Sequence, residues 1–306
     1  MLRRFALQTS ERIFRTCGIV LRPAWLQRAL RRCGVRLPYR YAKHLAYGGL
    51  VDFTVADRTL TMQSHNTPIE ITIFWKGLFS GREGAELRVW SMLTEHVPAI
   101  FDIGANTGVY SLVAAARDRN TVHAFEPVPG VADMLRFNQS QNQLTNVTVH
   151  ESVVSDTNGT ATLYVPSTGW VDVASLKKSF AERHARDQAP EAITVPAVTF
   201  DSFITRQSID DPLLLCKVDV EGAEPQVLQG MTETLAKYRV VLLIEILDET
   251  AWHDIWQILP AGYTCLGVVA KAPYVVPTQA YDAAITNYLI FPHAKNDTVS
   301  AWLAAA

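Results

Sequence analysis

Charged side chains are concentrated in one short apolar stretch, Leu213-Leu-Leu-Cys-Lys-Val-Asp-Val-Glu-Gly-Ala-Glu224. The apolar run predicts a buried strand, and the charged residues on it and at or beyond its carboxyl end are Lys217, Asp219, Glu221 and Glu224. Charges in such a context cost free energy unless they are paired or functional. We therefore expect them to accept a proton, to balance a cationic ligand, or to hold a divalent ion. A Lys217 salt bridge with acids at a helix N-terminus is the purely structural alternative.

A second stretch suited to ligand binding is the small-residue turn Asp102-Ile-Gly-Ala-Asn-Thr-Gly108. It follows an apolar run, and the spacing from Val109 onward is helical, so the segment predicts the first βα unit of a doubly wound sheet. Such a turn presents backbone N–H groups to a ligand, and Gly104 and Gly108 permit close approach and positive φ. The G-x-G-x-x-G spacing of dinucleotide sites fails, because its second glycine would fall on Asn106.

Two later polar sites follow other predicted strands. Glu126-Pro127 comes about 20 residues after the glycine turn, where an acid accepts hydrogen bonds from ribose hydroxyls; capping of the next helix is the alternative. Ser155-Asp156 ends an apolar run and is a candidate to bind an adenine amino group. The alternative is an Asx turn that begins a hairpin at Asn158-Gly159.

Together these motifs resemble the FkbM-type S-adenosylmethionine (SAM)-dependent methyltransferases. The resemblance runs from about Glu86 to Phe291 and rests on Asp102–Gly108, Phe125–Pro127, Ser155-Asp156, Thr199–Asp201, Lys217–Glu224, Ile244–Ile246 and Asn287–Leu289. It implies a class I (Rossmann-like) α/β fold, a seven-stranded mostly parallel sheet with helices on both faces. It also implies SAM as methyl donor, S-adenosylhomocysteine as product, and a hydroxyl oxygen of a small molecule or sugar-containing acceptor as the methylated atom.

The resemblance and the residues together define the predicted site. The predicted cofactor-binding residues are Asp102, Gly104, Ala105, Asn106, Gly108, Glu126, Pro127, Ser155, Asp156 and Asp219. We predict that Asp219 interacts with the amino group or the sulfonium of SAM. Glu221, or Glu224 as the second candidate, is predicted to act on the acceptor hydroxyl. Lys217 is predicted to balance the local negative charge. Whether the same carboxylates also hold a divalent ion is a question that the sequence leaves open. A nucleotide-dependent oxidoreductase and a non-catalytic scaffold on the same fold are the alternative functions.

The first 37 residues differ in charge from the rest of the chain, with nine arginines and a single acid although the whole chain has a formal net charge of −2. Amphipathic helices are predicted at Leu2–Arg15 and Pro23–Cys33. They predict peripheral contact with an anionic membrane surface, or alternatively a solvated basic face packed on the main domain. An acidic remainder argues against nucleic-acid binding. Four cysteines without metal-ligand spacing indicate reduced thiols in a cytoplasmic protein.

The elements predicted around the site suggest two domains, residues 1–85 and 86–306. In the first, residues 51–55, 59–62 and 69–74 read as the strands of a small β meander after the basic helical segment. In the second, βα steps continue through a helix at 131–141 with Leu135 and Phe137 turned inward. Residues 166–190 read as a long polar loop of the kind that covers a substrate. The last two strands, 263–269 and 288–291, read as a closing pair with one antiparallel strand.

Overall fold

The computed structural model describes residues 21–304, apart from positions 46, 82, 167–173, 186, 187, 208, 210 and 211. The chain divides into two units, Met1–Ala85 and Glu86–Ala306. The predicted helix at Leu2–Arg15 lies outside the described residues. Within the described ranges, no helix combines the length and apolarity that crossing a membrane would need.

The first unit contains a short β hairpin between helices. Its described elements are α1 (Ala24–Arg32), α2 (Tyr39–Ala42), β1 (Leu50–Val55), β2 (Arg58–Gln63) and α3 (Pro68–Lys76). The two strands are antiparallel, and β1 alternates exposed and buried residues, as expected for a strand with one buried face. The predicted helix at 23–33 and the first two predicted strands are therefore confirmed.

The third strand predicted for this unit is wrong, because residues 68–76 form α3. Alternating isoleucines suggested a strand, yet a capping box begins a helix here. The Glu70 N–H donates to the Thr67 hydroxyl at 3.4 Å, and the Thr67 N–H donates to the Glu70 carboxylate at 3.1 Å. Pro68 occupies the first turn, where its missing N–H costs nothing. Buried residues on several sides of α3, among them Ile71 and Trp75, make a helical arrangement of this apolar run favourable.

The second unit alternates strands and helices around a large sheet. From residue 84 the elements are α4 (Gly84–Leu93), β3 (Ala99–Ile103), α5 (Val109–Ala115), β4 (Thr121–Phe125), α6 (Pro129–Gln141), β5 (Val147–His150), β6 (Val153–Val154), β7 (Gly159–Val165), α7 (Lys178–His184), β8 (Glu191–Val198), α8 (Phe200–Ile204), β9 (Leu213–Val218), α9 (Glu224–Gln229), α10 (Thr232–Lys237), β10 (Arg239–Glu245), α11 (Glu249–Ile258), β11 (Tyr263–Val268), β12 (Val275–Pro277), β13 (Asn287–Pro292), a 3-10 turn (His293–Lys295) and α12 (Asn296–Ala304).

The sheet order is β5-β4-β3-β9-β10-β13-β11-β12, and the first five strands are parallel. The other three are antiparallel to their neighbours. All six residues of β9 are buried, which requires cover on both faces of the sheet. The order reverses between β3 and β9, so the carboxyl ends of these strands border the crevice in which such sheets bind ligands.

Four sequence predictions for this unit need correction. The sheet has eight strands rather than seven, because Val275–Pro277 pairs with β11. There is no hairpin at Asn158-Gly159: β7 pairs antiparallel with β8, and β6 pairs parallel with β8. Phe137 is 44% exposed, because the buried stripe of α6 contains Val131, Ala132, Leu135 and Asn138 instead. The predicted loop 166–190 contains α7, while its positions 167–173, 186 and 187 lie outside the described residues.

Candidate active site

The backbone of the glycine turn after β3 bonds to β4 and packs closely against neighbouring segments of the chain. The N–H groups of Gly104 and Ala105 both donate to the carbonyl of Phe125, at 3.0 and 2.9 Å. Gly104 has a φ of +85°, and a Cβ at this position would lie 1.8 Å from the Asp219 carbonyl oxygen. At Gly108, φ is +95° and a Cβ would lie 2.8 Å from Leu135 Cγ. The nearest atoms to an added Cβ thus belong to the turn after β9 and to α6. The expectation that these glycines make room for a ligand stays a prediction.

Glu126, at the end of β4, links two loops. Its carboxylate accepts the Asn106 N–H at 3.0 Å and the Val128 N–H at 2.9 Å. Val128 is the residue before α6, so one of these bonds reaches the entrance of that helix, although the side chain of Val128 makes no cap hydrogen bond. Pro127 lies half-buried between these contacts. Burial raises the pKa of Glu126 to about 7, although the two backbone donors oppose this shift. A ribose contact, for which each oxygen retains acceptor capacity, stays a prediction.

Asp102 lies beneath the turn and is completely buried. One of its carboxylate oxygens accepts the Ser111 hydroxyl at 2.6 Å, and the other has no hydrogen-bond partner among the described residues. Burial raises its pKa, while the positive charge of Lys217 on the neighbouring strand lowers it. The cofactor-binding role of Asp102 stays a prediction.

Lys217 is the buried centre of a charged network. Its Nζ lies 2.6 Å from an Asp219 carboxylate oxygen, 3.9 Å from Glu86 Oε1, and 4.3 Å from the centre of the Tyr110 ring. Burial alone would lower the pKa of Lys217, but the carboxylates of Asp219, Glu86 and Asp102 together raise it above its ordinary value. The lysine therefore stays charged, and its ammonium holds one oxygen of Asp219 in place.

Sequence reasoning missed Glu86 as part of this network. Glu86 is only 5% exposed, on the same face of α4 as Val89, Trp90 and Leu93. An acid at the apolar spacing of a helix was the available signal. It could not be interpreted without knowing that the face packs near a buried lysine.

The turn between β9 and α9 gives its three acids different environments. Glu224 is fully buried and accepts the N–H groups of Val220 and Gly222, at 3.1 and 3.0 Å. Burial raises its pKa to about 7. Glu221 has a φ of +55°, and its carbonyl accepts the Ser175 hydroxyl at 2.7 Å. Glu224 thus shapes the turn from inside.

A group of carboxylates forms where β9 and β10 end. One oxygen from each of Asp219, Glu221 and Glu245 lies within 4.8 Å of the others. Glu245 was not among the predicted site residues, although Ile244–Ile246 contributed to the family resemblance, and it takes the position in this group that the sequence suggested for Glu224. Burial and then the charges of Asp219 and Glu221 raise the pKa of Glu245.

Ser155 and Asp156 lie beside the smaller sheet. The Ser155 N–H donates to the Val198 carbonyl at 3.0 Å, and the Ser155 hydroxyl lies 3.1 Å from an Asp156 carboxylate oxygen. A Cβ on Gly230 would lie 1.9 Å from the Ser155 carbonyl oxygen, so the segment is packed closely against the chain after α9. Ser155 is buried and Asp156 exposed. Their adenine-binding role stays a prediction.

The strand order, the glycine turn after β3 and the acids after β4 and β9 define a class I methyltransferase fold. The model of the methyltransferase FkbM domain matches residues 102–265, more than half of the chain, and the protein belongs to this family. SAM is the methyl donor of the class.

Two curated relatives are similar to this chain. The 2-O-methyltransferase NoeI of Sinorhizobium fredii is 28% identical over 163 residues, which cover 50% of this chain and 65% of the relative. The hexuronic acid methyltransferase AglP of Haloferax volcanii is 25% identical over 166 residues, covering 54% and 62%. The chain therefore spans less than two thirds of either relative.

Among solved structures, an FkbM methyltransferase from Methylobacillus flagellatus KT is 20% identical to this chain, with a TM-score of 0.37. The aligned residues make up 64% of this chain and 43% of that chain. A SAM-dependent methyltransferase from Agrobacterium tumefaciens is 11% identical with a TM-score of 0.42, covering 81% and 71%. Such low scores add nothing to the argument from strand order.

Proposed function

We propose that the protein transfers the methyl group of SAM to a hydroxyl oxygen of a sugar-containing small molecule. The observation that carries this proposal is the group of carboxylates at the ends of β9 and β10, beside the glycine turn of β3. The names of the two relatives, a 2-O-methyltransferase and a hexuronic acid methyltransferase, support a sugar as the acceptor.

The residues present fit SAM by the chemistry of their polar atoms. The ammonium, the ribose hydroxyls and the adenine amino group of SAM are all hydrogen-bond donors, and its sulfonium is cationic. The side chains at the strand ends are mostly acceptors and anions, with Asp219 partly exposed and Glu126 linking two loops. We assign Asp219 to the cationic part of the cofactor and Glu126 to the ribose.

Bound SAM supplies an electrophilic methyl group. The acceptor hydroxyl must lose its proton as its oxygen gains this methyl, because a neutral alcohol is a weak nucleophile. Glu221 stands on the turn beyond the strand, and we assign it to receive that proton. Lys217 fixes the position of Asp219 through their contact at 2.6 Å. Glu224 keeps the turn in shape.

Two substitutions test this division of roles. Asp219→Asn should weaken S-adenosylhomocysteine binding measured by calorimetry. Glu221→Gln should leave that affinity nearly unchanged but lower turnover by about 10² or more, the usual contribution of a positioned base. Turnover is followed as transfer of labelled methyl from SAM to a panel of neutral hexoses and hexuronic acids. Full activity of Glu221→Gln would remove it as the base, and absence of S-adenosylhomocysteine binding would favour a non-catalytic scaffold.

We further propose that this is a cytoplasmic protein whose basic first unit contacts an anionic membrane surface. Trp25 is 72% exposed on α1, and Arg28 and Arg32, one and two helical turns onward, are exposed too. An exposed indole among arginines suits the interface of an anionic bilayer. In flotation with anionic vesicles, Trp25→Ala should reduce binding and high salt should abolish it, whereas Phe137→Ala serves as an exposed aromatic control. Equal flotation of both variants would contradict the proposal.

A further inference from the structure

Glu245 is a buried acid at the candidate active site whose charge is not compensated by a hydrogen-bond donor among the described residues. It is 7% exposed, yet among the described residues its carboxylate makes neither a hydrogen bond nor an ion pair. Its neighbours in the group are the carboxylates of Asp219 and Glu221, within 4.8 Å. A buried carboxylate without a donor is costly, and two like charges beside it increase that cost.

The nearest cation does not resolve this imbalance. Lys217 contacts Asp219 directly and has a second carboxylate partner in Glu86. The ammonium of Lys217 thus pairs with Asp219 and Glu86, and it makes no ion pair with Glu245. Either Glu245 carries a proton at neutral pH, or the group binds a cation that is not a side chain.

The strand geometry brings the three oxygens together without long flexible connections. Val218 and Ile244 are paired in the parallel register of β9 and β10, so Asp219 and Glu245 are the next residues on adjacent strands. Glu221 follows on the turn that Glu224 and Ser175 hold in place. Oxygens around one ion at about 2.0–2.6 Å are at most about 4–5 Å apart. The spacing of the three oxygens, within 4.8 Å of one another, is therefore compatible with a single ion.

We propose that Asp219, Glu221 and Glu245 bind one hard divalent cation of the Mg²⁺ or Ca²⁺ type. Three carboxylate oxygens fill only part of the coordination shell of such an ion. Because Asp219 and Glu221 are partly exposed, water and an acceptor hydroxyl can reach the remaining positions. For the catalytic consequence, this inference rests on the proposed function: the cation would orient the hydroxyl and make its proton easier to remove. Glu221 would hold the cation with one carboxylate oxygen and would still receive that proton on the other.

Cation binding is tested first without cofactor or acceptor. Chelator-treated protein is titrated with MgCl₂ and with CaCl₂ by calorimetry, up to about 10 mM, roughly tenfold above the dissociation constants of about 1 mM at the weak end of protein calcium sites. We expect saturable binding of one ion in the wild type and about tenfold or greater loss of affinity in Glu245→Gln. The matched control is Glu249→Gln, an exposed acid at the start of α11, which should bind like the wild type.

Thermal unfolding gives a second readout, because the effect of Glu245→Gln on the melting temperature should differ between cation-free and cation-containing buffer. Without cations, Glu245→Gln should unfold at a higher temperature than the wild type, because it removes a buried repulsion. With cations, the wild type should gain stability and Glu245→Gln should not. Glu221→Gln should also lose the gain, which provides a second variant if Glu245→Gln does not fold.

Three outcomes would overturn the inference: no saturable heat, equal affinity in Glu245→Gln and the wild type, or a cation effect equally lost in Glu249→Gln. Failure of the proposed function looks different. It would appear as missing S-adenosylhomocysteine binding while the cation still binds.

Discussion

Gly104→Ala tests the close contact between the glycine turn and the strand end that bears Asp219. The added Cβ would lie 1.8 Å from the Asp219 carbonyl oxygen, whereas contacts below 3.0 Å essentially do not occur, so the backbones must separate by at least about 1.2 Å. Left-handed backbone adds about 1–2 kcal/mol for a residue with a Cβ. Overpacking typically adds about 1–3 kcal/mol, for a total of about 2–5 kcal/mol.

This loss is measurable because a folded domain has only about 5–15 kcal/mol to lose. For a unit of this size it corresponds to a fall in melting temperature of about 4–20 °C. S-adenosylhomocysteine affinity should fall as well, since the forced separation moves Asp219. Thermal unfolding and calorimetry on the purified variant measure both quantities.

Gly130→Ala is the matched control. Gly130 lies in α6 with no atom within 4 Å of an added Cβ and no positive φ. Alanine there should raise stability by about 0.5–1 kcal/mol, because it restricts the unfolded chain in a helix-compatible position. The reasoning is refuted if Gly104→Ala melts and binds like the wild type, or if both variants change stability in the same direction.

Three further predictions concern titratable side chains that are buried or partly buried. Glu86→Gln should lower the free energy of unfolding by about 1–3 kcal/mol, below the usual cost of breaking a buried pair because Asp219 remains, whereas exposed Glu95→Gln should cost at most about 1 kcal/mol in urea unfolding. Glu126→Gln should weaken S-adenosylhomocysteine binding by about 2 kcal/mol, or about 30-fold, and unchanged calorimetric affinity would place the ribose elsewhere. Burial, with a smaller effect of the adjacent His150, lowers the pKa of His123 to about 4. The unfolded chain then binds the proton more readily, so the urea midpoint should fall from pH 6.5 toward pH 4, and less steeply in His123→Gln.

Local sequence determined the glycine turn, the strand that carries Lys217 and the order of the core elements. These features depend mainly on residues close in sequence, because an apolar run that ends just before Gly104 indicates a strand followed by a turn from its own residues. Where two local signals disagreed, sequence reading failed. The isoleucine alternation at 69–74 predicted a strand, whereas the Thr67–Glu70 capping box, which begins the helix, was not recognised from the sequence.

Only the tertiary structure decided which acids share the site. Glu224 and Glu221 are close in sequence, yet Glu224 turns inward to bind the backbone and Glu245, from the next strand of the sheet, takes its expected position. Glu86 reaches Lys217 from a helix more than a hundred residues earlier in the chain. Sequence periodicity determines which face of its own element a side chain occupies. It does not determine which distant face lies opposite, because that depends on the parallel register of β3, β9 and β10 and on the packing of helices against them.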